Sequence, residues 1–307
     1  MSLSDEIKQS FKRGSILTRL IYINLGIFLI INIVYILFVL INPAGISRIE
    51  INAYFQTKFL TYLMVPADIS KLIIKPWTIF TYMFLHFNFL HILFNLIWLF
   101  LFGRIFLMYL SEKQLLSTYI LGGLSGAFLF IFFYNIFPGL APYVEQSEML
   151  GASAGVMAIA MGICFYVPNY AVYVPLIGPV KLKYIALFFI VTDILQIASY
   201  NAGGHIAHLG GVIYGYFFVQ QYRKGKDLGK GLNSILDSIA TLFRMRKKRM
   251  KVSYKRSVKD MSDMEYNKYK AQTQEEIDRI LDKIAKSGYD SLTKKEKETL
   301  FRMSNRS

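Results

Sequence analysis

Residues 149–167 read Met-Leu-Gly-Ala-Ser-Ala-Gly-Val-Met-Ala-Ile-Ala-Met-Gly-Ile-Cys-Phe-Tyr-Val, and Pro168 follows. The stretch carries no charge and is close to the roughly 20 mostly apolar residues that a helix needs to cross a membrane. Its many glycines and alanines suit close contact with other helices better than contact with lipid. It therefore predicts a membrane-spanning helix that lies inside a bundle.

Five more segments have a similar apolar character: residues 20–41, 88–106, 115–137, 184–200 and 205–219. Together with residues 149–167 they predict an all-α membrane protein, a six-transmembrane-helix bundle. The first connection, residues 42–87, is long enough to form a partly inserted loop on the outer face.

Charged residues are few and unevenly placed. They make up 18% of the 307 residues, against roughly 25% in soluble domains. Lys and Arg are concentrated in the two terminal segments and also occur in the short connections that six crossings place on the same side. The positive-inside rule puts that side in the cytoplasm, so we expect a multi-pass protein of a bacterial inner membrane with both termini cytoplasmic. The exception is the long first connection, which carries Arg48, Lys58, Lys71 and Lys75, and long loops follow the charge rule poorly. These basic segments account for the net charge of +15 without a nucleic-acid partner.

Ionisable groups at membrane depth are candidates for function. The four histidines, His86, His91, His205 and His208, form two pairs, one near the start of the second segment and one near the start of the sixth. Ser153 lies near the start of the fourth. If Ser153 and His208 each lie about four residues inside their helices, both lie roughly 5 Å below the helix starts. A neutral imidazole could then activate the serine hydroxyl as a nucleophile.

Other polar and small residues complete this candidate site. His91 and Asn95 are four residues apart on one helix face and could donate hydrogen bonds to an oxyanion. Asp193 lies in the fifth segment, five to seven residues from its outer end, and could reach the site, but a structural hydrogen bond is the favoured interpretation. The glycines Gly151, Gly155, Gly211 and Gly215, two pairs with a spacing of four, predict close helix packing.

Each feature also has an explanation without catalysis. Gly-Ala-Ser-Ala-Gly is common in helix packing, and His91, Asn95 and His208 could be interior polar contacts. The histidines could instead hold a metal, but the H-E-x-x-H pattern of a metalloprotease is absent. The single Cys164 excludes an intramolecular disulfide and a site with several cysteine ligands. We therefore expect no metal and no cofactor.

Three motifs, in this order, resemble those of the rhomboid family of intramembrane serine proteases. His91-Ile92-Leu93-Phe94-Asn95 resembles H-x-x-x-N, Gly151-Ala152-Ser153 resembles the start of G-x-S-G, and the stretch from His208 to Gly215 resembles H-x-x-G-x-x-x-G. The similarity covers about residues 15–222. It implies a rhomboid-like bundle in which Ser153 is the nucleophile and His208 its general base. His91, Asn95 and the Ser153 backbone N–H would form the oxyanion hole, and transmembrane protein substrates would be cleaved within or near a membrane helix.

Two departures from the family pattern matter. Ala154 stands where the family has a glycine after the serine, and the extra methyl group could narrow the site. The first outer loop also lacks the Trp-Arg pair of many relatives. The alternative to a protease is a catalytically inactive rhomboid-like protein that binds membrane helices.

The chain divides into four predicted parts: a cytoplasmic N-terminus at residues 1–19, the membrane domain at 20–222, a basic juxtamembrane segment and linker at 223–272, and a small helical hairpin at 273–307. Residues 223–307 carry 23 Lys and Arg against 12 Asp and Glu. The basic run 244–251 is expected to bind anionic lipid headgroups of the bilayer, and residues 232–243 fit an amphipathic helix. In the hairpin, residues 275–286 have helical spacing, and Thr293 with Glu296 fits a capping box.

Overall fold

The computed structural model describes residues 2–41, 46–199, 201–243 and 262–304. The chain forms two compact units, Met1–Phe243 and Arg244–Ser307. The helices of the first unit are α1 Leu3–Arg13, α2 Ile16–Ile41, α3 Arg48–Lys58, α4 Ile69–Ile74, α5 Thr78–Thr81, α6 Phe89–Tyr109, α7 Glu112–Ile136, α8 Ser153–Tyr166, α9 Leu182–Leu195, α10 Ala202–Arg223 and α11 Lys230–Phe243. Short 3₁₀ turns lie at Leu60–Tyr62, Tyr82–Phe84 and Ala141–Tyr143. The prediction of a mainly helical fold is confirmed.

Helices α2, α6, α7, α8, α9 and α10 lie where the six spans were predicted. By length and composition, three helices among the described residues could cross a membrane: α2, α6 and α7. Helix α8 is apolar but has 14 residues, fewer than the roughly 20 of a usual span. Six crossings therefore stay a prediction.

Several predicted helix boundaries were wrong. The fourth segment becomes helical only at Ser153, because Glu148–Met149 forms strand β2, antiparallel to strand β1 at Val65–Pro66. Helix α9 ends at Leu195, short of the predicted end at Tyr200, which lies outside the described residues. Helix α10 begins at Ala202, three residues before the predicted start.

Helix α8 occupies the centre of the first unit. Every residue from Ala154 to Cys164 is buried, as expected of a helix that is apolar on all sides. Helices α6, α7, α9 and α10 all pack against it. This environment fixes the position of Ser153 at the N-terminal end of α8.

The long connection between α2 and α6 braces the segment that leads into α8. In the β1–β2 pair, Val65 lies opposite Met149. The Lys75 ammonium donates to the Thr61 carbonyl at 2.8 Å and lies 3.7 Å from the Glu148 carboxylate. Residues 148–152 are thereby held against the loop, so the loop helps to set where Ser153 lies.

A second two-stranded sheet connects α8 to α9. Strand β3, Ala171–Val174, pairs antiparallel with strand β4, Gly178–Lys181, and Ala171 lies opposite Lys181. The hairpin lies at the end of α8 away from Ser153. It therefore connects the two helices at a distance from the site.

The second unit contains α12, Asp263–Ser287, a 3₁₀ turn at Tyr289–Ser291, and α13, Lys294–Ser304. The two helices lie in the region of the predicted hairpin. The predicted capping box is present: the Glu296 carboxylate accepts from the Thr293 N–H at 2.7 Å, and the Glu296 N–H donates to the Thr293 hydroxyl at 3.4 Å. The predicted end of the linker at residue 272 was wrong, since α12 begins at Asp263. The basic run 244–251 lies outside the described residues.

Candidate active site

A cavity of about 730 Å³ lies beside the N-terminal end of α8. Its lining includes the predicted nucleophile and base, Ser153 and His208, and the predicted oxyanion donors, His91 and Asn95. Asp193 also lines it. Apolar side chains such as Trp98, Phe102 and Met157 form much of the remaining wall. The folded chain thus brings residues from α6, α8, α9 and α10 to one place, as a binding site in a helical bundle requires.

Ser153 is the first residue of α8, and its side chain is partly exposed. The N–H groups of a helix's first turn have no acceptor within the helix, and the helix N-terminus favours negative charge. The Ser153 hydroxyl makes no hydrogen bond within the described part of the chain. It is therefore available to a ligand, beside backbone donors suited to an oxyanion.

Gly151 lets the histidine of α6 approach Ser153. Its φ of +127° belongs to a region that favours glycine. A methyl group on Gly151 would lie 2.7 Å from the His91 ring and 3.8 Å from the Ser153 hydroxyl. Both groups therefore border the same small space. Gly151 lies before α8, so the prediction that it packs helices together was wrong; it makes room for His91 instead.

The other three glycines lie in tight helix contacts. A methyl group on Gly211 or Gly215 would come within 2.2 or 2.8 Å of a carbonyl oxygen of α8, so α10 packs directly on the α8 backbone. Gly155 instead faces α7, where the Tyr119 carbonyl oxygen would lie 2.6 Å from such a methyl group.

The contact between α8 and α10 fixes the relative height of Ser153 and His208. Gly211 faces Ala154 and Gly215 faces Ala158, so the two helices run in the same direction. His208 is three residues before Gly211, which places it about 3 Å along the axis from Ser153. The prediction that both lie four residues inside their helices was wrong, because Ser153 is the first residue of α8 and His208 the seventh of α10.

His86 connects the oxyanion candidates to the loop before Ser153. The ring is fully buried, and its Nε2 accepts from the Asn95 side-chain amide at 3.2 Å and the Ala152 N–H at 3.4 Å. Burial, and to a lesser degree the neighbouring His91, lowers the pKa of His86 to about 3. A neutral ring is what allows Nε2 to accept both bonds.

Asn95 and His91 differ in their freedom to donate. The Asn95 amide nitrogen also donates to the His91 carbonyl at 3.0 Å, so both of its hydrogens have partners. The His91 ring makes no hydrogen bond within the described ranges and lies edge-on to His86, with ring centroids 5.1 Å apart. His91 is thus the side-chain donor that is free to meet a ligand.

Comparison with known proteins places this arrangement in a family. The model of the rhomboid domain matches residues 74–224. The chain contains a rhomboid domain. It is 28% identical over 158 residues to RHOMBOID-like protein 12, mitochondrial, of Arabidopsis thaliana, a match that covers 48% of this chain and 47% of that protein. This rhomboid therefore spans about half the length of the curated relative it matches. Residues 262–306 match a family of unknown function (DUF6576).

The rhomboid site accommodates the alanine that follows its serine. The Ala154 methyl group faces Gly126 on α7, where an added methyl carbon would lie only 2.4 Å away. The extra volume of Ala154 is thus absorbed at a helix contact, between α8 and a glycine of α7.

Asp193 contacts both histidines of the rhomboid's α10. One oxygen, Oδ1, lies 2.8 Å from His205 Nδ1 and 2.9 Å from His208 Nδ1. The sequence favoured a purely structural role for Asp193 and placed it five to seven residues from the end of a helix that continued to residue 200. Because α9 ends at Leu195, Asp193 lies close to the loop that leads into α10.

The same three side chains are the candidate metal ligands of this rhomboid. Ligand atoms of Asp193, His205 and His208 all lie within 4.8 Å of one another, and two imidazoles with a carboxylate could hold Zn²⁺. The two distances from Asp193 to the histidines are those of hydrogen bonds. Direct hydrogen bonds therefore account for the arrangement of the three side chains without a metal ion.

The sequence motifs missed two residues of the site. His86 and Asp193 fall outside the three motifs, and their signal was chemical: an ionisable side chain in or beside an apolar segment. That signal marks such residues as candidates, but it does not say which partners they meet across the bundle.

Proposed function

We propose that this rhomboid-family protein is an intramembrane serine endopeptidase that cleaves transmembrane protein substrates. The observation that carries the proposal is that Ser153 and His208 open onto one cavity from helices locked together at Gly211 and Gly215. A nucleophile and a base must be held at fixed positions for acyl transfer, and this backbone contact supplies that rigidity.

The proposed reaction has two stages. His208 removes the hydroxyl proton of Ser153 as the oxygen attacks the substrate carbonyl carbon, and the C–N bond then breaks as His208 returns the proton to the leaving amine. Water, deprotonated by His208, hydrolyses the acyl-enzyme and regenerates Ser153. In both stages the negative oxygen would accept hydrogen bonds from the His91 ring and the Ser153 N–H. Asn95 could contribute a third hydrogen bond after it breaks its bond to His86 or to the His91 carbonyl.

The short helix α8 supports a site below the membrane surface. Its 14 residues extend about 21 Å, whereas the hydrocarbon core is about 30 Å thick. If the C-terminal end of α8 lies at the inner surface, Ser153 lies roughly 10 Å beneath the outer one. Gln146, Ser147 and Glu148, which line the cavity on the loop side, would let water reach that depth.

The proposed partners are substrate helices and the bilayer itself. The basic run 244–251 would bind anionic lipid headgroups. No nucleic acid and no cofactor enters the proposal.

Labelling with a fluorophosphonate probe tests the proposal. The probe forms a covalent bond to an activated serine, so the wild type should be labelled and Ser153→Ala should not. Ser147→Ala is the matched control, because Ser147 lines the same cavity and its loss should leave labelling intact. Labelling that does not depend on Ser153 would favour the inactive, helix-binding alternative, and labelling abolished by a chelator would favour a metal site.

A further inference from the structure

We propose that Asp193 is a positioning residue for the Ser153–His208 pair and acts through the imidazole of His208. The inference rests on the proposed protease function and extends it, since a serine and a histidine alone would suffice for the reaction described above.

The contact between Asp193 and His208 determines which nitrogen of the base is free. Asp193 is buried, and its Oδ1 lies 2.9 Å from His208 Nδ1. A carboxylate only accepts hydrogen bonds, so Nδ1 must carry the proton. Nε2 is then the unprotonated nitrogen, and it is the one available to take the Ser153 proton.

His205 holds the carboxylate from a second side. Its Nδ1 lies 2.8 Å from the same oxygen, and its ring meets that of His208 edge-on with centroids 5.7 Å apart. Two donors on one oxygen fix the orientation of Asp193. No Lys or Arg forms an ion pair with Asp193 within the described residues, so these two imidazoles are its described polar partners.

This arrangement has a catalytic consequence. When His208 accepts the serine proton it becomes a cation, and a carboxylate at 2.9 Å in a buried site stabilises that charge. Such a carboxylate also prevents the ring from adopting the tautomer that cannot act as a base. Removing its charge at constant shape should therefore lower kcat more than it changes KM.

Asp193→Asn is the direct test, made in the full chain with a model transmembrane substrate. The asparagine amide can donate to His208 Nδ1 and so stabilise the wrong tautomer. We expect kcat to fall by about 10²–10⁴-fold with KM within about threefold. Asp193→Glu, which restores a carboxylate, should recover part of the loss. Asp237→Asn is the matched control, because Asp237 is an exposed carboxylate that pairs with Lys113.

Nitrogen-15 NMR of labelled histidines separates positioning from a structural role. The chain has four histidines, so the spectrum is small, and His208→Ala assigns the signal. Wild-type His208 should carry its proton on Nδ1, and Asp193→Asn should move it to Nε2. If Asp193→Asn does not fold, the wild-type tautomer decides, and a proton on Nε2 overturns the inference.

The remaining outcomes are also distinct. If Asp193→Asn is as active as an active wild type, the role of Asp193 is wrong but the proposed protease function stands. The same holds if Asp193→Asn loses activity while the His208 tautomer stays unchanged. A wild type no more active than Ser153→Ala overturns the proposed function and this inference with it.

Discussion

At the scale of single residues, the site separates donors that are free from donors that are engaged. The Asn95 amide hydrogens already serve the His91 carbonyl and His86, whereas the His91 ring has no hydrogen-bond partner within the described residues. An oxyanion could therefore use His91 at once, but Asn95 must first break an existing bond. The motif resemblance treats the two residues alike, and only the contacts distinguish them.

This difference predicts unequal effects of alanine substitution. His91→Ala should lower kcat for a transmembrane substrate by about 10²–10³-fold, the usual cost of one oxyanion donor, and Asn95→Ala by only about tenfold. Single-turnover cleavage in detergent would measure both. A larger loss in Asn95→Ala than in His91→Ala would mean that Asn95 exchanges its partners readily and is the main donor.

The neutral state of His86 predicts a loss of stability in acid. Its pKa is about 3 in the folded protein and about 6.5 when unfolded, so the unfolded state binds the additional proton between these values. The contribution of His86 to the free energy of unfolding is therefore fully present above pH 6.5. It is lost as the pH drops toward 3, by at most on the order of 5 kcal/mol. Thermal unfolding at pH 7.5 and pH 5 should show the loss.

His86→Gln is the control for that measurement, because a glutamine oxygen can accept from Asn95 and Ala152 without titrating. The drop in melting temperature between the two pH values should be smaller in this variant than in the wild type. Equal drops would show that other groups cause the acid sensitivity.

Sequence reasoning was sufficient for some residues and not for others. Ser153 and His208 follow from motifs, and the structure brings both to the cavity. Asp193 and His86 do not follow, because their partners depend on where α9 ends and on how the first loop pairs with residues 148–149. Those are long-range contacts, which hydropathy and spacing do not encode.

At the scale of secondary structure, glycine contacts between helices determine the shape of the site. A methyl group on Gly122 of α7 would lie 2.1 Å from the Ala158 methyl carbon of α8, with its next contact at 3.5 Å. One on Gly211 of α10 would lie 2.2 Å from the Ala154 carbonyl oxygen, which is backbone. The clash at Gly122 is with a side chain, which a substitution to glycine can remove. The clash at Gly211 is with the backbone, which no substitution removes.

A double-mutant cycle tests this packing. Gly122→Ala should destabilise the protein by about 1–3 kcal/mol through overpacking. Adding Ala158→Gly should recover much of that loss, although Ala158→Gly alone costs about 1 kcal/mol of helix propensity. Gly211→Ala with Ala158→Gly is the matched control and should show no recovery. Additive effects of Gly122→Ala and Ala158→Gly in thermal unfolding would contradict the contact.

Helix existence was easier to predict than helix boundaries. Apolar length identified the regions of all six helices, α2, α6, α7, α8, α9 and α10. The start of α8 was missed because Glu148–Met149 pairs with Val65–Pro66, and a tertiary contact of this kind overrides local propensity.

At the scale of the whole molecule, six crossings would place both ends of the first unit on the same side of the membrane. The described residues contain three helices that are long enough to cross by themselves, so the topology is a prediction that needs its own test. Cys164 is buried and should give little background in cysteine labelling.

Single cysteines at exposed positions make that test possible. In intact cells, an impermeant maleimide should label Gly139→Cys and Asn201→Cys, which lie in connections predicted to be outside. It should spare Ser4→Cys and Ser238→Cys until the membrane is permeabilised. Labelling of Gly139→Cys and Ser4→Cys from the same side would rule out the six-crossing arrangement.

The central claim is that Ser153 and His208 act together in one proteolytic site. The most direct measurement is cleavage of a model transmembrane substrate by the full chain in liposomes, with the wild type beside Ser153→Ala and His208→Ala. The wild type should cleave, and each variant should lose at least about 10³-fold in rate while keeping its thermal stability. Cleavage by either variant at the wild-type rate would contradict the claim.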